Sequence, residues 1–329
     1  MILAWAVTVS GFTQLTLLTI SARRQGMDLG FRIPRLTAGV RRLFVLAGPG
    51  VVTAGITQIN LFIGTMIASL AEGAVSYLYY ADRINQLPLG IVGIAIGVVL
   101  LPELSQKLAA GNHGAAMYSH NRALEFALLL TLPAAAALCV VPGPIIQVLF
   151  QRGAFNASDT HAVSLALAAF AAGLPASVLI RVFLPGFFAR EDTRTPMKYA
   201  GISAGVNIAG SLSLFFVIGH VGIAIATSLA AWTNAILLGF TLMRRGHFEA
   251  DASLKRRSVL IALASVIMAA ALWGVSFPLG QFFRPSNGLM IQALALGALI
   301  AGGAVVYLGV AQATGAANYK SLWRSVARG

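Results

Sequence analysis

A carboxylate directly beside a guanidinium, Asp82 then Arg83, lies within the segment YLYYADRINQLPLG at residues 77–90. Neighbouring residues of a helix point about 100° apart, so this pair does not simply neutralise itself. Asp82 shares a helical face with Tyr79 and Gln86, and Arg83 lies beside that face. Arginine suits phosphate because its planar fork donates two parallel hydrogen bonds and keeps its charge. The pattern indicates an ion pair with another helix, a side chain reaching the outer interface, or an anion site built on Arg83 and tuned by Asp82.

Arg181 is a second arginine within an apolar stretch, about two helical turns from the end of that stretch. A charge at mid-bilayer costs about 2.5–3.5 kcal/mol on insertion scales, so such residues face a partner, a water-filled cavity or the interface. For Arg181 two interpretations stay open, a side chain that reaches the nearer interface and a member of the same polar site. Four amides also lie within apolar stretches and favour hydrogen bonds between helices: Gln58, Asn60, Asn207 and Asn234.

Composition places the whole chain in a membrane. Hydrophobic residues make up 58% of the sequence and charged residues only 10%, whereas soluble domains carry roughly 25% charged residues. The single cysteine, Cys139, excludes a disulfide framework and a cysteine-based metal cluster. No phosphate-binding glycine loop, dinucleotide fingerprint, metal-ligand spacing or nucleophile elbow is present in the sequence. We therefore expect no cofactor and no enzymatic activity.

Nine apolar stretches are long enough to cross a bilayer, which needs about 20 residues. The stretches are continuous and lack the alternation of membrane β-strands, so the sequence predicts an all-α polytopic membrane protein. The predicted spans are residues 2–20, 44–70, 77–102, 124–150, 162–188, 197–218, 220–243, 258–278 and 288–312.

The placement of basic residues predicts the orientation of these spans. If the connector after the first span is cytoplasmic, 19 of the 23 lysines and arginines fall on the cytoplasmic side. Only Arg152 and Arg284 fall in outer connectors, and Arg83 and Arg181 fall within spans. Basic residues stay in the cytoplasm during insertion. The C-terminus is therefore predicted to be cytoplasmic, and the +13 net charge indicates topology and contact with anionic membrane lipids rather than nucleic acid.

The same orientation places the first residue outside the cell, where Met1 opens directly into an apolar stretch. No polar segment precedes that stretch, which is unusual for a polytopic protein. We therefore expect a further N-terminal portion in the complete protein.

Residues 68–106, ASLAEGAVSYLYYADRINQLPLGIVGIAIGVVLLPELSQ, resemble the MurJ (MviN) family of lipid II flippases. That family belongs to the superfamily of multidrug, oligosaccharidyl-lipid and polysaccharide exporters. Further similar segments are VLFQRGAF at 148–155 and LPGFFAREDTRTPMKYA at 184–200. The opening segment, with Gln14 and ARRQGM at 22–27, is similar to the sixth span of the family. The resemblance covers nearly the whole chain.

The resemblance implies that the nine spans correspond to the sixth to fourteenth of fourteen, in the C-terminal part of a two-lobe flippase. The implied divisions are the last helix of the N-terminal lobe (1–22), a basic cytoplasmic linker (23–43), a six-helix C-terminal lobe (44–243), a basic cytoplasmic loop (244–257), two additional transmembrane helices that form a lipid-tail groove (258–313), and a cytoplasmic tail (314–329).

The resemblance also implies a function. The family moves lipid II, the undecaprenyl-pyrophosphate-linked peptidoglycan precursor, from the inner to the outer leaflet of the cytoplasmic membrane by alternating access. Arg83 corresponds to the cavity arginine of the family's eighth span and Asp82 to the neighbouring acid; Arg181 corresponds to a position that tends to be basic. The implied head-group site is therefore Arg83, Asp82, Gln86 and Arg181, and the implied partners are lipid II, membrane lipids and the N-terminal lobe.

Two departures from the family are visible. The other key arginines of the family lie in its first two spans, which this sequence does not contain, and Gly64 stands where relatives often carry an acid or amide. Two alternatives therefore stay open: an exporter of polysaccharides or drugs, and an inactive remnant. A drug exporter would use intramembrane acids to bind organic cations, and the scarcity of such acids favours the flippase. An enzyme acting on the lipid pyrophosphate would need acid–base residues clustered at one leaflet, and the sequence shows no such cluster.

Overall fold

The computed structural model describes residues 2–26, 37–284 and 287–316 of the chain. These residues form ten α-helices and one short 3-10 helix, with no β-strand among them. The helices are α1 (Ile2–Arg24), α2 (Ala38–Ala68), α3 (Ala74–Ala109), α4 (His113–Val140), α5 (Pro142–Phe150), α6 (Ala157–Phe188), α7 (Arg194–Ile218), α8 (His220–Arg244), α9 (Ala252–Leu279) and α10 (Leu289–Ala313), with the 3-10 helix at Gly280–Phe283.

The long helices coincide with the predicted apolar stretches, which confirms the all-α membrane class. Seven helical segments of the described chain are long and apolar enough to cross a bilayer. They are Ala47–Ala68, His113–Val140, Ala157–Phe188, Arg194–Ile218, His220–Arg244, Ala252–Phe283 and Leu289–Ala313. For α1 and α3, the assignment as membrane spans stays a prediction.

The stretch predicted as one span over 124–150 is two helices. The break falls at Val141, whose φ of −125° and ψ of 45° are not helical. Pro142 then occupies the first turn of α5, where its missing N–H costs nothing, while its ring disfavours helical geometry at the residue before it. Helix α4 begins earlier than the predicted span because the Asn112 side chain accepts a hydrogen bond from the Ala115 N–H at 3.0 Å.

The chain divides into two compact units, residues 1–45 and 46–329. In the first unit, the hydroxyls of Thr13, Thr16 and Thr19 on α1 donate to carbonyls one turn earlier at 2.8–2.9 Å. Such bonds satisfy polar side chains where no water is available. Part of the predicted linker, residues 27–36, lies outside the described residues, as does the predicted tail from residue 317.

Helix α6 is the central element of the second unit and packs against α3, α4, α5 and α8. Close approach to α8 depends on Gly173, because a Cβ there would lie 2.7 Å from the Ser228 Cα. Gly222 has the same role between α8 and α7, since its Cβ would lie 2.6 Å from the Leu214 carbonyl carbon. Small residues at helix crossings provide van der Waals contact that larger side chains would prevent.

Helices α9 and α10 form a pair that packs on α4 and α5. The Leu272 side chain lies over Gly303, where a Cβ would be 2.8 Å from its Cδ2 atom. The Tyr307 hydroxyl of α10 donates to the Leu129 carbonyl of α4 at 2.6 Å. The pair is therefore attached to the bundle both by side-chain packing and by a hydrogen bond.

We call residues 103–125, 189–198 and 242–257 the basic end of the second unit, and residues 69–76, 141–161, 217–221, 276–284 and 287–289 the opposite end. At the basic end, the Glu125 carboxylate is only 8% exposed. It accepts hydrogen bonds from Arg122 at 2.5 Å, Arg257 at 2.9 Å and Ser253 at 3.0 Å. Asp251 caps α9 by accepting from the Leu254 N–H at 2.6 Å, so α9 begins within the segment 244–257 rather than after it.

The Glu125 network generates a stability prediction. Replacing Glu125 with alanine leaves two arginines without their shared carboxylate, and we expect a loss of about 1–3 kcal/mol, because both arginines are partly exposed and screened. The measurement is thermal unfolding of purified protein in detergent. Glu103→Ala is the matched control, since Glu103 is 40% exposed, pairs with Lys107 one turn later and accepts from the Ser119 hydroxyl of α4 at 2.8 Å. Equal losses in both variants would contradict the prediction.

The α6–α7 connector is fixed by Asp192. Its carboxylate accepts hydrogen bonds from the Thr195 N–H at 3.0 Å and hydroxyl at 2.6 Å, and from Arg245 at 2.6 Å. Burial alone would raise the pKa of this carboxyl, but the hydrogen bonds outweigh it and hold the pKa below 3.8. The ionised carboxylate therefore stabilises the folded state at neutral pH.

The sign of the Asp192 shift predicts a pH dependence. A depressed folded pKa gives stability that is fully present above the unfolded pKa and is lost as the pH falls through the folded pKa. We expect Asp192→Asn to lower the unfolding temperature at neutral pH, with the difference from wild type shrinking below about pH 4. Unfolding temperatures measured from pH 3 to 7 test this, and a difference that stays constant throughout would refute it.

Candidate functional site

A cavity of about 340 Å³ lies between α2, α3, α6, α7 and α8. Its polar lining residues are Thr57, Asn60, Thr65, Tyr79, Asp82, Asn207 and Thr227. Polar side chains in an apolar bundle require partners, and several of these have them. The Asn207 amide, for example, donates to the Thr227 hydroxyl at 3.4 Å. The buried Oδ1 atom of Asn60 has no hydrogen-bond partner among the described residues, so the cavity wall retains an acceptor for a guest molecule or water.

Asp82 is half-buried and faces this cavity from α3. The Gln86 amide, one helical turn later, donates a hydrogen bond to the Asp82 carboxylate. The two residues predicted to share a face therefore interact directly. This contact fixes the orientation of the only carboxylate in the described cavity lining.

Arg83 lies beside the cavity and is held by Tyr79. Its Nη2 atom donates to the Tyr79 hydroxyl at 2.7 Å, and its Cζ atom lies 4.7 Å from the centre of the Tyr79 ring. A cation over an aromatic face is attracted by the negative face of the ring. Among the described residues, no carboxylate forms an ion pair with Arg83. The guanidinium therefore keeps donors directed away from Tyr79.

Arg181 projects from α6 onto α3, where it lies against Gly93. A Cβ at position 93 would come within 2.5 Å of the Arg181 Nη1 atom and 3.0 Å of its Cδ. Gly93 lies on the same helical face as Asp82, eleven residues later and roughly 16 Å further along the axis. The structure thus brings Arg83, Asp82 and Gln86 together within one helical turn and places Arg181 at a second position on the same face.

The glycines of α3 differ in their surroundings. Glycines in membrane helices commonly allow close helix contact, and Gly93 does so by accommodating an arginine side chain. Among the described residues, no atom lies within 4 Å of the position that a Cβ at residue 90 would occupy. The sequence alone gives no signal that separates these two positions.

Several cavity residues escape sequence reasoning. Thr57 and Thr227 bond their own backbone carbonyls one turn earlier at 3.0 and 2.9 Å, as threonines do throughout membrane helices. Their hydroxyls face the cavity only because four other helices surround them. Asn60 and Asn207 carry a signal, since each is an amide within an apolar stretch. Gly64, noted as a departure from related sequences, also lines the cavity.

The geometry defines a class of protein. The described residues form an all-α bundle of long apolar helices around a cavity with seven polar lining residues, and this is the architecture of a polytopic membrane protein. A sequence profile described as "Lipid II flippase MurJ" matches residues 1–296. The chain belongs to the MurJ lipid II flippase family.

Individual relatives agree with this membership. A protein of Rhizobium meliloti (strain 1021), named probable lipid II flippase MurJ, is 50% identical over 331 aligned residues. The alignment covers 99% of this chain and 61% of the relative. The chain therefore spans about three fifths of the length of that relative.

Solved structures show the same fold. A structure titled "Lipid II flippase MurJ, inward closed conformation" superposes with a TM-score of 0.67 and 27% identity, covering 88% of this chain and 57% of that one. An outward-facing multidrug transporter of the MATE family superposes with a TM-score of 0.54 over 86% of this chain and 66% of that one. Its identity is 17%, so this second likeness shows the fold alone.

Proposed function

We propose that this protein takes part in moving lipid II from the inner to the outer leaflet of the cytoplasmic membrane, for peptidoglycan synthesis. The observation that carries the proposal is Arg83, which is held over Tyr79 beside a partly polar cavity and has no carboxylate partner among the described residues. Membership of the MurJ family supports the choice of substrate.

The chemistry of the substrate fits this arrangement. A pyrophosphate carries charge that cannot cross hydrocarbon unaided, whereas a polyprenyl chain is stable in lipid. A flippase therefore needs a polar path for the head group only. Arg83 supplies charge-assisted hydrogen bonds to phosphate oxygens, and the hydroxyls and amides of the cavity replace water around the rest of the head group.

The four site residues have different parts in this proposal. Arg83 binds the pyrophosphate. Asp82, held by Gln86, limits the positive charge of the site, so that the lipid can leave again. Arg181 offers a second cation roughly 16 Å further along α3, where the head group is held at another stage of its passage.

We propose that α9 and α10 receive the lipid tail. Their outward surface is apolar and includes Val266, Phe277, Leu294 and Val305, each at least 64% exposed. An apolar surface of this kind is stable against acyl or polyprenyl chains. The pair lies against α4 and α5 rather than in the cavity, which separates a path for the tail from the site for the head group.

We propose that the basic end of the second unit is cytoplasmic, with the C-terminus on that side of the inner membrane. Basic residues are concentrated there, including Arg190, Lys198, Arg245, Lys255 and Arg257. At the opposite end the described lysines and arginines are Arg152 and Arg284. This asymmetry follows the rule that positive charge stays in the cytoplasm during insertion.

The relatives are longer than this chain, and we propose that helices equivalent to the unmatched part complete the transport cavity. The described residues that line the cavity include no cation. Arg83 lies beside the cavity and is not one of its lining residues. Alternating access requires two lobes that close on one site, and the second unit provides one of them.

Arg83 gives the direct test. In the complete protein, Arg83→Ala should fail to support growth when the resident flippase is depleted, and should lower lipid II flipping at least about tenfold. The reason is the loss of charge-assisted hydrogen bonds of about 1.5–3 kcal/mol. Arg152→Ala is the matched control, because Arg152 is exposed and, among the described residues, its side chain donates to the Leu149 carbonyl of its own turn.

Membrane insertion of both variants is checked by immunoblot of the membrane fraction. Full complementation by Arg83→Ala would remove this residue from the site, and drug efflux in place of flipping would favour the exporter alternative. A wild-type protein that inserts but supports no growth would favour the inactive remnant.

Gly93 tests the role of Arg181. Gly93→Ala should displace the guanidinium with little loss of stability, because the crowded atoms belong to a flexible side chain. We expect flipping to fall to the level of Arg181→Gln, and the double variant to be no worse than either single one. Gly90→Ala is the control, since its site is open. Additive losses in the double variant would show that the two positions act independently.

A further inference from the structure

A second cavity, of about 580 Å³, lies at the opposite end of the second unit. Its walls come from the α4–α5 junction, the first turns of α6, the end of α9 and the 3-10 helix. It shares no lining residue with the cavity beside Arg83. A head group in transit beside α3 is therefore not its occupant.

The charges in this second cavity have one sign. Arg284 is the charged residue of the lining, His161 is its other titratable group, and no carboxylate is among the described lining residues. Asp159 is near in sequence, but it accepts from the Tyr77 hydroxyl at 2.8 Å and caps α6 at Asn156. The cavity therefore favours an anion.

Hydrogen-bond donors converge on the same space. One N–H of the Gln147 amide binds the Phe283 carbonyl, which leaves the other for a ligand. The Gln151 side-chain oxygen accepts from the Thr160 hydroxyl at 3.1 Å, so the NH₂ group of Gln151 is also available. Arg284 and these two amides match the several acceptor oxygens of a phosphate group.

The surroundings of the cavity match a lipid rather than a free ion. Apolar side chains, including Val140, Pro144 and Phe283, form part of its wall. On α9, Trp273 and Phe277 are 60% and 66% exposed. Their rings pack edge to face, with 4.9 Å between the ring centroids. Exposed aromatic residues at a helix end are typical of the head-group level of a bilayer.

We propose that this cavity binds the phosphate of an anionic phospholipid such as phosphatidylglycerol, with Arg284 as the main contact. Given the orientation proposed above, the lipid is in the outer leaflet. Phosphatidylethanolamine and phosphatidylcholine carry a cationic group beside the phosphate. The described lining residues offer no carboxylate to receive that group, so the anionic lipid is preferred. The volume is within the range of about 300–1,000 Å³ typical of small-ligand sites.

The test is lipid binding to the purified full-length protein, measured by native mass spectrometry and by stabilisation against heat. We expect phosphatidylglycerol to bind at least about tenfold more tightly than phosphatidylcholine. Arg284→Gln should remove that preference, with at least about a tenfold loss of affinity, because a charge-assisted contact is lost. Arg284→Lys should keep part of it. Arg152→Gln is the matched control, since Arg152 is exposed at the same end but does not line the cavity.

Three results would overturn the proposal. They are binding unchanged in Arg284→Gln, equal losses in Arg284→Gln and Arg152→Gln, and equal binding of phosphatidylcholine. Protection by inorganic phosphate at the same concentration as the lipid would overturn the assignment to a lipid, because the acyl chains would then contribute nothing. Binding in detergent is independent of flipping, so failure here is distinguishable from failure of the proposed function.

Discussion

The absence of water from the bilayer interior is the constraint on which this structure depends. Each buried polar group must find a partner within the protein, because an unsatisfied one costs several kcal/mol. The threonine hydroxyls of α1 donate to backbone carbonyls of the same helix. The Ser228 hydroxyl of α8 donates to the Ala169 carbonyl of α6 at 2.6 Å. Helix α6 packs against α3, α4, α5 and α8. Gly173 allows its close approach to α8. Departures from the rule therefore identify places where a guest molecule is expected.

The arginines show this contrast. At the basic end, Arg122, Arg245 and Arg257 each pair with a carboxylate, and they tie α4, α8 and α9 to their neighbours. Among the described residues, Arg83 contacts the Tyr79 ring and hydroxyl and pairs with no carboxylate, and Arg181 lies against Gly93. Paired arginines stabilise connections between helices, whereas we propose that Arg83 and Arg181 bind an anion. In this proposal the same residue type has two roles, and its surroundings distinguish them.

Much of the fold is predictable from the sequence, because membrane helices require long apolar stretches. The break at Val141 is also encoded in the sequence, by Pro142. The length of the apolar stretch does not reveal it, because the residues on both sides of the break are apolar. The site is only partly predictable. Asp82, Arg83 and Gln86 are close in sequence, so helical periodicity places them together. The contact of Arg181 with Gly93 joins helices almost 90 residues apart, and no periodicity within one helix reports it.

The sequence by itself determined the membrane class, the location of most long helices and the polar group on α3, because each follows from hydropathy or from spacing within one helix. Only the tertiary structure decided which polar groups share a space. Thr57, Asn207 and Thr227 line one cavity from three different helices. Gln147 and Arg284 line the second cavity although more than 130 residues of chain separate them. Such sites arise from the packing of helices on one another, and that packing depends on side-chain shape across the whole bundle rather than on local pattern.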